Sequence, residues 1–362
     1  MEPLKEMFNH RFYTGFAEAF GKADRNFNTE SFIREVTKNL EDRSLNQRLH
    51  HTSVVLQHHL PADFKKAISV LYKAVEHVQT GYTALVFPGF VGMFGKEHFD
   101  LSMEALKHFT AYGSSEFAVR EFLKLDMQKA LKIMHNWAAD GNHHVRRLAS
   151  EGSRPRLPWS FKLDAVIKEP SLTRGILEQL NADTELYVRK SVANHLNDIS
   201  KDHPDYMIRL VKGWNAGNTH TAWIIKHASR SLIKLGHQDS LAVFNFEKNV
   251  KVRLDKFRLG AAKIRLGEEL LFSFDIVSEK KSAQKLVIDY AIHYRKAGGG
   301  LSRKVFKLKE AELAPGARLS LSKKQTLKDF TTRKHYAGEH KVDIIVNGSV
   351  MGEKTFVLAI PS

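Results

Sequence analysis

Close to residue 260 the spacing of apolar residues changes from one helical turn to every second position, and one uniform architecture cannot satisfy both periods. Before the change, Phe8, Phe12, Phe16 and Phe20 recur every four residues, and Phe32 and Val36 carry the pattern into the next segment. That is the stripe of amphipathic helices, so these phenylalanines are expected in a core. Segments of 10 to 18 residues then alternate with breaks at Leu60-Pro61, Phe87-Pro88-Gly89, Asp140-Gly141, Glu169-Pro170, Asn181-Ala182-Asp183 and His203-Pro204. Residues 1 to 250 therefore read as helical throughout. After the change, Leu270, Phe272, Phe274 and Ile276 alternate with polar positions, as do Leu286 to Tyr294, Phe306 and Leu308, Leu319 and Leu321, and Val342, Ile344 and Val346. Alternation marks strands with one buried face. Asn347-Gly348 is a two-residue hairpin turn, with Glu353 to Ile360 as the returning strand. Six or seven strands in about 100 residues indicate a small immunoglobulin-like sandwich. The Cys, Trp, Cys signature is absent, so strand count alone carries that reading. Domains are expected at 1–255 and 256–362.

The helical part contains a degenerate repeat. Ser114, Asp140, Asp183 and Asn218 can each cap a helix, and five residues later stand Val119-Arg120, Val145-Arg146, Val188-Arg189 and Trp223-Ile224. The intervals of 26, 43 and 35 residues are irregular. They suit a two-helix repeat of the HEAT type, an α-solenoid in which the arginines would line one face, better than a non-repetitive bundle with ordinary caps.

Charge narrows the partners. The chain of 362 residues has 56 Lys and Arg against 40 Asp and Glu, a net charge of +16. Residues 251 to 362 hold 23 basic and 12 acidic side chains, a net of +11, which leaves +5 for residues 1 to 250. Such an excess favours a polyanion, and both parts are expected to touch it. With no cysteine, disulfides, thiolate nucleophiles and Cys-ligated zinc are excluded. The N-terminus lacks a signal-peptide pattern and no apolar run reaches membrane-spanning length, so a cytoplasmic protein is expected.

Residues 140 to 159 concentrate the chemistry. They begin as a helix with Val145, Leu148 and Ala149 at helical spacing, and end as a loop stiffened by Gly152, Pro155 and Pro158. Arg146, Arg147, Arg154 and Arg156 crowd around Glu151 and one indole, Trp159. Glu151 and Asp198 both lie near helix C-termini, where negative charge is unfavourable, and such misplacement points to a role other than stability. Asp198 has Lys201 within pairing reach, and Glu116 reads equally as a first-turn acid. Trp159 suits a stacking surface or a plug over a helix end. The arginines suit phosphate contact or a solvated basic face. Adjacent histidines at 50–51, 58–59 and 143–144 point apart on a helix, so no metal site is expected. Gly89, Gly92 and Gly95 lack the Lys-Ser/Thr of a phosphate-binding loop. Tyr82, Trp137, Trp214 and Trp223 read as packing residues.

Three stretches carry a resemblance: Ser-Ser-Glu-Phe-Ala-Val-Arg at 114–120, His-Val-Arg-Arg-Leu-Ala-Ser-Glu-Gly-Ser-Arg-Pro-Arg-Leu-Pro-Trp at 144–159, and the Val188 to Pro204 segment. They resemble the bacterial DNA alkylation repair glycosylases of the AlkC branch of the AlkC/AlkD superfamily, and the Pro88 to Gly95 segment fits as well. The basic β-domain matches the Ig-like extension of some AlkC members. The Pro expected after Val119-Arg120 is Glu121 here. The resemblance implies a HEAT-like solenoid that grips duplex DNA and, as a monofunctional glycosylase without a cofactor, excises N3-alkylated bases such as 3-methyladenine and 3-methylcytosine. It implies Glu116, Glu151 and Asp198 as active-site carboxylates and Trp159 as the aromatic beside the lesion. DNA contacts are then expected from Arg120, Arg146, Arg147, Arg154, Arg156, Arg189, Lys190 and Lys201. Further contacts are expected from Arg303, Lys323 and Lys324 on β-domain loops entering the minor groove, with the protein a monomer. The alternatives are a non-catalytic nucleic-acid-binding HEAT scaffold and a protein-binding HEAT adaptor.

Overall fold

In the computed structural model, residues 4–234, 250–330 and 334–360 are described. The expected helical stretch therefore extends over 235–249, which lies outside them. The chain divides into two compact units, Met1–His203 with Trp214–Ala228, and Pro204–Gly213 with Ser229–Ser362.

The first unit is built on the phenylalanine stripe. Asn9 caps the helix His10–Ala23 by accepting from the Phe12 amide. That helix buries Tyr13, Phe16 and Phe20, and Phe8 is buried just ahead of it. Their rings run on to Phe32 and Phe87, with Phe20 and Phe87 stacked at 6.0 Å. Phe87-Pro88-Gly89 is not a break. It opens the helix Val86–Phe94, because proline in a first turn forfeits an amide that has no partner there anyway. The glycines serve packing. A Cβ at Gly92 would stand 3.1 Å from that of Ala118, and one at Gly95 would stand 2.2 Å from Ser102 Oγ.

Towards the end of this unit, the helix Leu186–Ile199 packs against both His143–Gly152 and Thr219–Ala228, a consecutive stacking of helices. Of the four expected caps only Asn218 acts as one, accepting from the His220 and Thr221 amides at 2.8 and 3.2 Å. Asn142 and Glu185 take the cap positions expected of Asp140 and Asp183, whose carboxylates instead accept from amides in the preceding turns. Ser114 lies outside any helix, for Val119–Leu125 begins five residues later. Among the described residues no helix is long and apolar enough to cross a membrane.

The second unit holds the helices Pro204–Lys212 and Arg230–Lys234 and a sandwich. Its strands are β1 (Val252–Leu259), β2 (Lys263–Arg265), β3 (Glu269–Ser278), β4 (Gln284–Arg295), β5 (Leu301–Leu313), β6 (Arg318–Thr326), β7 (Gly338–Val346) and β8 (Ser349–Ala359). One sheet has the order β1-β3-β6 and the other β2-β8-β7-β4-β5, with only β2 and β8 parallel. The alternating residues Leu270, Phe272, Phe274 and Ile276 pack against Leu286, Ile288, Tyr290 and Ile292, and Phe272 meets Tyr290 at 5.2 Å. Asn347 and Gly348 form the β7–β8 turn with φ of +45° and +80°, left-handed values that Asn and Gly tolerate. The expected domain boundary at 255/256 falls within β1, where a shift in pairing between Asp255 and Arg258 disrupts the alternation.

Candidate active site

Glu151 is the penultimate residue of the helix His143–Gly152, whose buried face carries Val145, Leu148 and Ala149. Glycine must follow it, because a Cβ at Gly152 would lie 2.5 Å from Val119 Cγ1 of the neighbouring helix. Ser153 Oγ donates to Ala149 O at 2.6 Å, and the chain leaves the helix there. The loop that follows closes around Arg120. The Arg120 guanidinium donates to Gly152 O at 2.9 Å, to Arg154 O at 2.7 Å and to Phe161 O, and it lies 5.2 Å from the centre of the Phe161 ring. Carried on this loop, Trp159 adopts φ +64° and is 86% exposed, so it plugs nothing. An indole held in the left-handed region is uncommon and has to be fixed by its surroundings.

The acids and bases alternate. Glu116 accepts from Ser114 Oγ at 2.9 Å and pairs with Arg147, whose other terminal nitrogen is 3.6 Å from Glu151. Arg154 stands 2.6 Å from Glu151 and reaches Asp198 through Nε at 2.9 Å and Nη2 at 2.8 Å. Lys201 closes the series at 2.9 Å from Asp198. Glu151 is 6% exposed and Asp198 2%. A cleft of about 670 Å³ is lined by Glu116, Arg147, Glu151, Arg154, Tyr187 and Trp159, among others, whereas Asp198 stands behind Arg154 and does not line it. Burial lowers the Arg154 guanidinium, but Glu151 and Asp198 outweigh it and the net shift is upwards. Arg120 touches carbonyls instead of carboxylates, and the more distant Asp198, Glu116 and Glu151 are outweighed. Burial and the charge of Arg154 bring it down to about 10.

The basic residues divide by this geometry. Arg120, expected on DNA, is fully buried with its two terminal nitrogens on backbone carbonyls, so it anchors the loop and offers nothing to a phosphate. The other Val-Arg arginines likewise staple successive turns. Arg146 grips Asp183 at 2.7 and 3.2 Å and the carbonyls of Asp140 and Gly141, and Arg189 binds the carbonyls of Asp183 and Thr184 while lying over Trp223. Arg156 is paired with Asp202, Lys201 with Asp198, and Lys190 is exposed. Lys323 and Lys324 belong to β6, and Arg303 to β5, rather than to loops, because Lys323 takes an inward position in the alternation begun by Leu319 and Leu321.

Sequence reasoning missed Tyr82, Tyr187 and His195. Tyr82 and Tyr187 line the cleft rather than the core, with Arg147 4.9 Å from the Tyr187 ring centre. Tyr187 was visible only as an aromatic one residue ahead of the buried Val188. His195 is fully buried one turn before Asp198. Its Nδ1 meets Ser150 O at 2.9 Å and its Nε2 meets Thr173 Oγ1 at 3.2 Å. A carbonyl only accepts, so Nδ1 carries the proton, and the ring ties the Glu151 helix to the Asp198 helix. Burial drives His195 down to about 3. Unfolded, it takes a proton near 6.5, so between about pH 6.5 and 3 the unfolded state binds the extra proton and stability falls as pH falls, by up to about 1.4 kcal/mol per pH unit. Urea unfolding across that window should show this slope in the wild type and a shallower one in His195→Asn, which places an amide donor where Nδ1 stood. Equal slopes would remove His195 as the cause.

Comparison with known proteins places two families along the chain. The one described as DNA alkylation repair enzyme matches residues 104–232, and the one described as the C-terminal Ig-like domain of the uncharacterised protein YhaZ matches residues 253–360. The protein YhaZ of Bacillus subtilis strain 168 is 40% identical over 359 residues, 98% of this chain and 99% of its own. The structure of the Pseudomonas fluorescens alkylpurine DNA glycosylase AlkC, bound to DNA containing an abasic site analog, is 44% identical. It covers 99% of this chain and 100% of its own with a TM-score of 0.96.

Proposed function

The chain belongs to the AlkC family of DNA alkylation repair enzymes, and we propose that it is a monofunctional glycosylase that releases N3-alkylated bases, 3-methyladenine and 3-methylcytosine, from duplex DNA. The observation that carries the reading is the single cleft in which Glu116 and Glu151 meet the exposed face of Trp159. The full-length similarity to a glycosylase bound to abasic-site DNA supports it, since an abasic site is what base removal leaves.

A base alkylated at N3 already carries the positive charge that a leaving group otherwise acquires by protonation, so it departs neutral and needs no general acid. Positive charge develops on the deoxyribose as the glycosidic bond lengthens. A carboxylate fixed beforehand stabilises that charge without reorganising, and it can orient or deprotonate the incoming water. Glu151, held by Arg154 and faced by Arg147, takes that role, with Glu116 beside it and Asp198 acting through Arg154. Trp159 stacks on the cationic base or the sugar. Phosphate contacts fall to the exposed Lys190, to Arg156 and Lys201 at the price of an ion pair each, and to the basic sandwich.

Incubating methylated duplex with the protein and separating the freed bases tests the reading. Release of 3-methyladenine or 3-methylcytosine, with affinity falling steeply as salt rises, is expected. Tight salt-sensitive binding without release would replace the enzyme by a scaffold, and salt-insensitive binding would point to neither.

A further inference from the structure

The helical part of the chain carries many basic side chains but little net charge, +5 over residues 1 to 250 against +11 for the rest. The four arginines between 146 and 156 show one reason, for each is held by a carboxylate. Arg146 is held by Asp183, Arg147 by Glu116, Arg154 by Glu151 and Asp198, and Arg156 by Asp202. The first three arginines and their partners are largely buried. The last pair is open, with the Arg156 side chain 27% and the Asp202 side chain 31% exposed. It is also isolated: Nε and Nη2 of Arg156 meet the two oxygens of Asp202 at 3.0 and 2.8 Å, and among the described residues neither side chain makes another hydrogen bond. Arg156 sits on the loop that carries Trp159, and its neighbours Leu157 and Pro158 line the carboxylate cleft while it points to Asp202. A backbone phosphate at the edge of that cleft would offer a guanidinium fork the same pair of oxygens that this carboxylate offers.

We propose that Asp202 is an internal stand-in for a DNA phosphate, occupying Arg156 in the free protein and displaced from it by the duplex backbone. The inference rests on the duplex-binding half of the reading above and names the group that limits how tightly the duplex is held. While paired, Arg156 adds no net charge to attract DNA. Once displaced, Asp202 stands beside the phosphate and opposes it. It also gathers a cation in place of the one the phosphate loses, so the exchange releases almost no counterion. An exposed pair of this kind is weak enough to exchange, unlike the buried pairs of Arg147 and Arg154. The grip on any duplex is therefore set below what the surface could give, and undamaged DNA is released sooner.

The test uses full-length protein and two duplexes, one undamaged and one carrying a tetrahydrofuran abasic analogue, with binding read by anisotropy across a salt series. Asp202→Asn keeps the size of the side chain and one acceptor oxygen and removes the charge. It should tighten binding to both duplexes by about fivefold and steepen the slope of log affinity against log salt by about 0.9, the value of one further phosphate neutralised. Removing any negative charge strengthens attraction to DNA, so the gain has to be traced to Arg156. Arg156→Gln and the double variant Arg156→Gln, Asp202→Asn should therefore bind alike. An unchanged slope or a loss of affinity in Asp202→Asn, or a gain that persists without Arg156, would overturn the proposal. Salt-insensitive binding by the wild type would instead overturn the duplex-binding reading on which it rests.

Discussion

Replacing Glu151 by Gln should slow base release by about a hundredfold or more, the scale of losing one electrostatic stabiliser, while damaged duplex is still bound nearly as tightly. The amide keeps the size of the side chain, and its oxygen can still accept from Arg154 at the position now 2.6 Å away, so the helix end and the loop are retained. What disappears is the negative charge facing the cleft. The surrounding charges alternate from Glu116 through Arg147, Glu151, Arg154 and Asp198 to Lys201, and removing the third member leaves two arginines facing a sugar that becomes cationic. Asp198→Asn should behave differently. Asp198 does not line the cleft and receives two donors of Arg154, so its replacement should lower stability and reduce release less than Glu151→Gln does. Single-turnover release at saturating enzyme, with anisotropy and urea unfolding beside it, separates the two. A larger loss of release in Asp198→Asn at unchanged stability would move the reacting carboxylate from Glu151 to Asp198.

The parts of this arrangement that are local in sequence were legible there. The change of period near residue 260 marks the passage from helices to strands, and the misplaced charge of Glu151 at a helix end marked it for attention. Glu116 carried no comparable signal. It looked like a first-turn acid, yet its helix begins three residues later, at Val119. Arginine was the least legible residue type. Arg120 and Arg147 both stand within two residues of a buried valine, but a long side chain can turn inward or outward, and only the fold decides that Arg120 collects three carbonyls while Arg147 faces the cleft. The strand β1 was hidden by its bulge, and Lys323 looked like part of a loop because a lysine at an inward strand position breaks the pattern. The positive φ of Trp159 was also hidden, since nothing in the residue type predicts it.

Arg120 should prove the most sensitive position for stability. Its guanidinium is wholly buried and holds Gly152 O, Arg154 O and Phe161 O together, so one side chain closes the loop that carries Arg154 and Trp159. Arg120→Met fits a similar volume but leaves those carbonyls without a donor. Arg120→Lys keeps the charge, but a single ammonium cannot span three acceptors that a planar fork reaches. Leaving a buried carbonyl without its donor costs about 1–3 kcal/mol, and Arg120 serves three of them, so the loss is a large share of the stability of an ordinary domain. Both variants should therefore unfold at clearly lower urea concentration. The protein that remains folded should also release base more slowly, because the loop is then free to let Trp159 and Arg154 leave the cleft. That second effect distinguishes an anchor of the site from a purely structural residue. If folded Arg120→Lys released base at the wild-type rate, the loop would be held by its prolines and the Ser153 bond, and Arg120 would matter to stability alone.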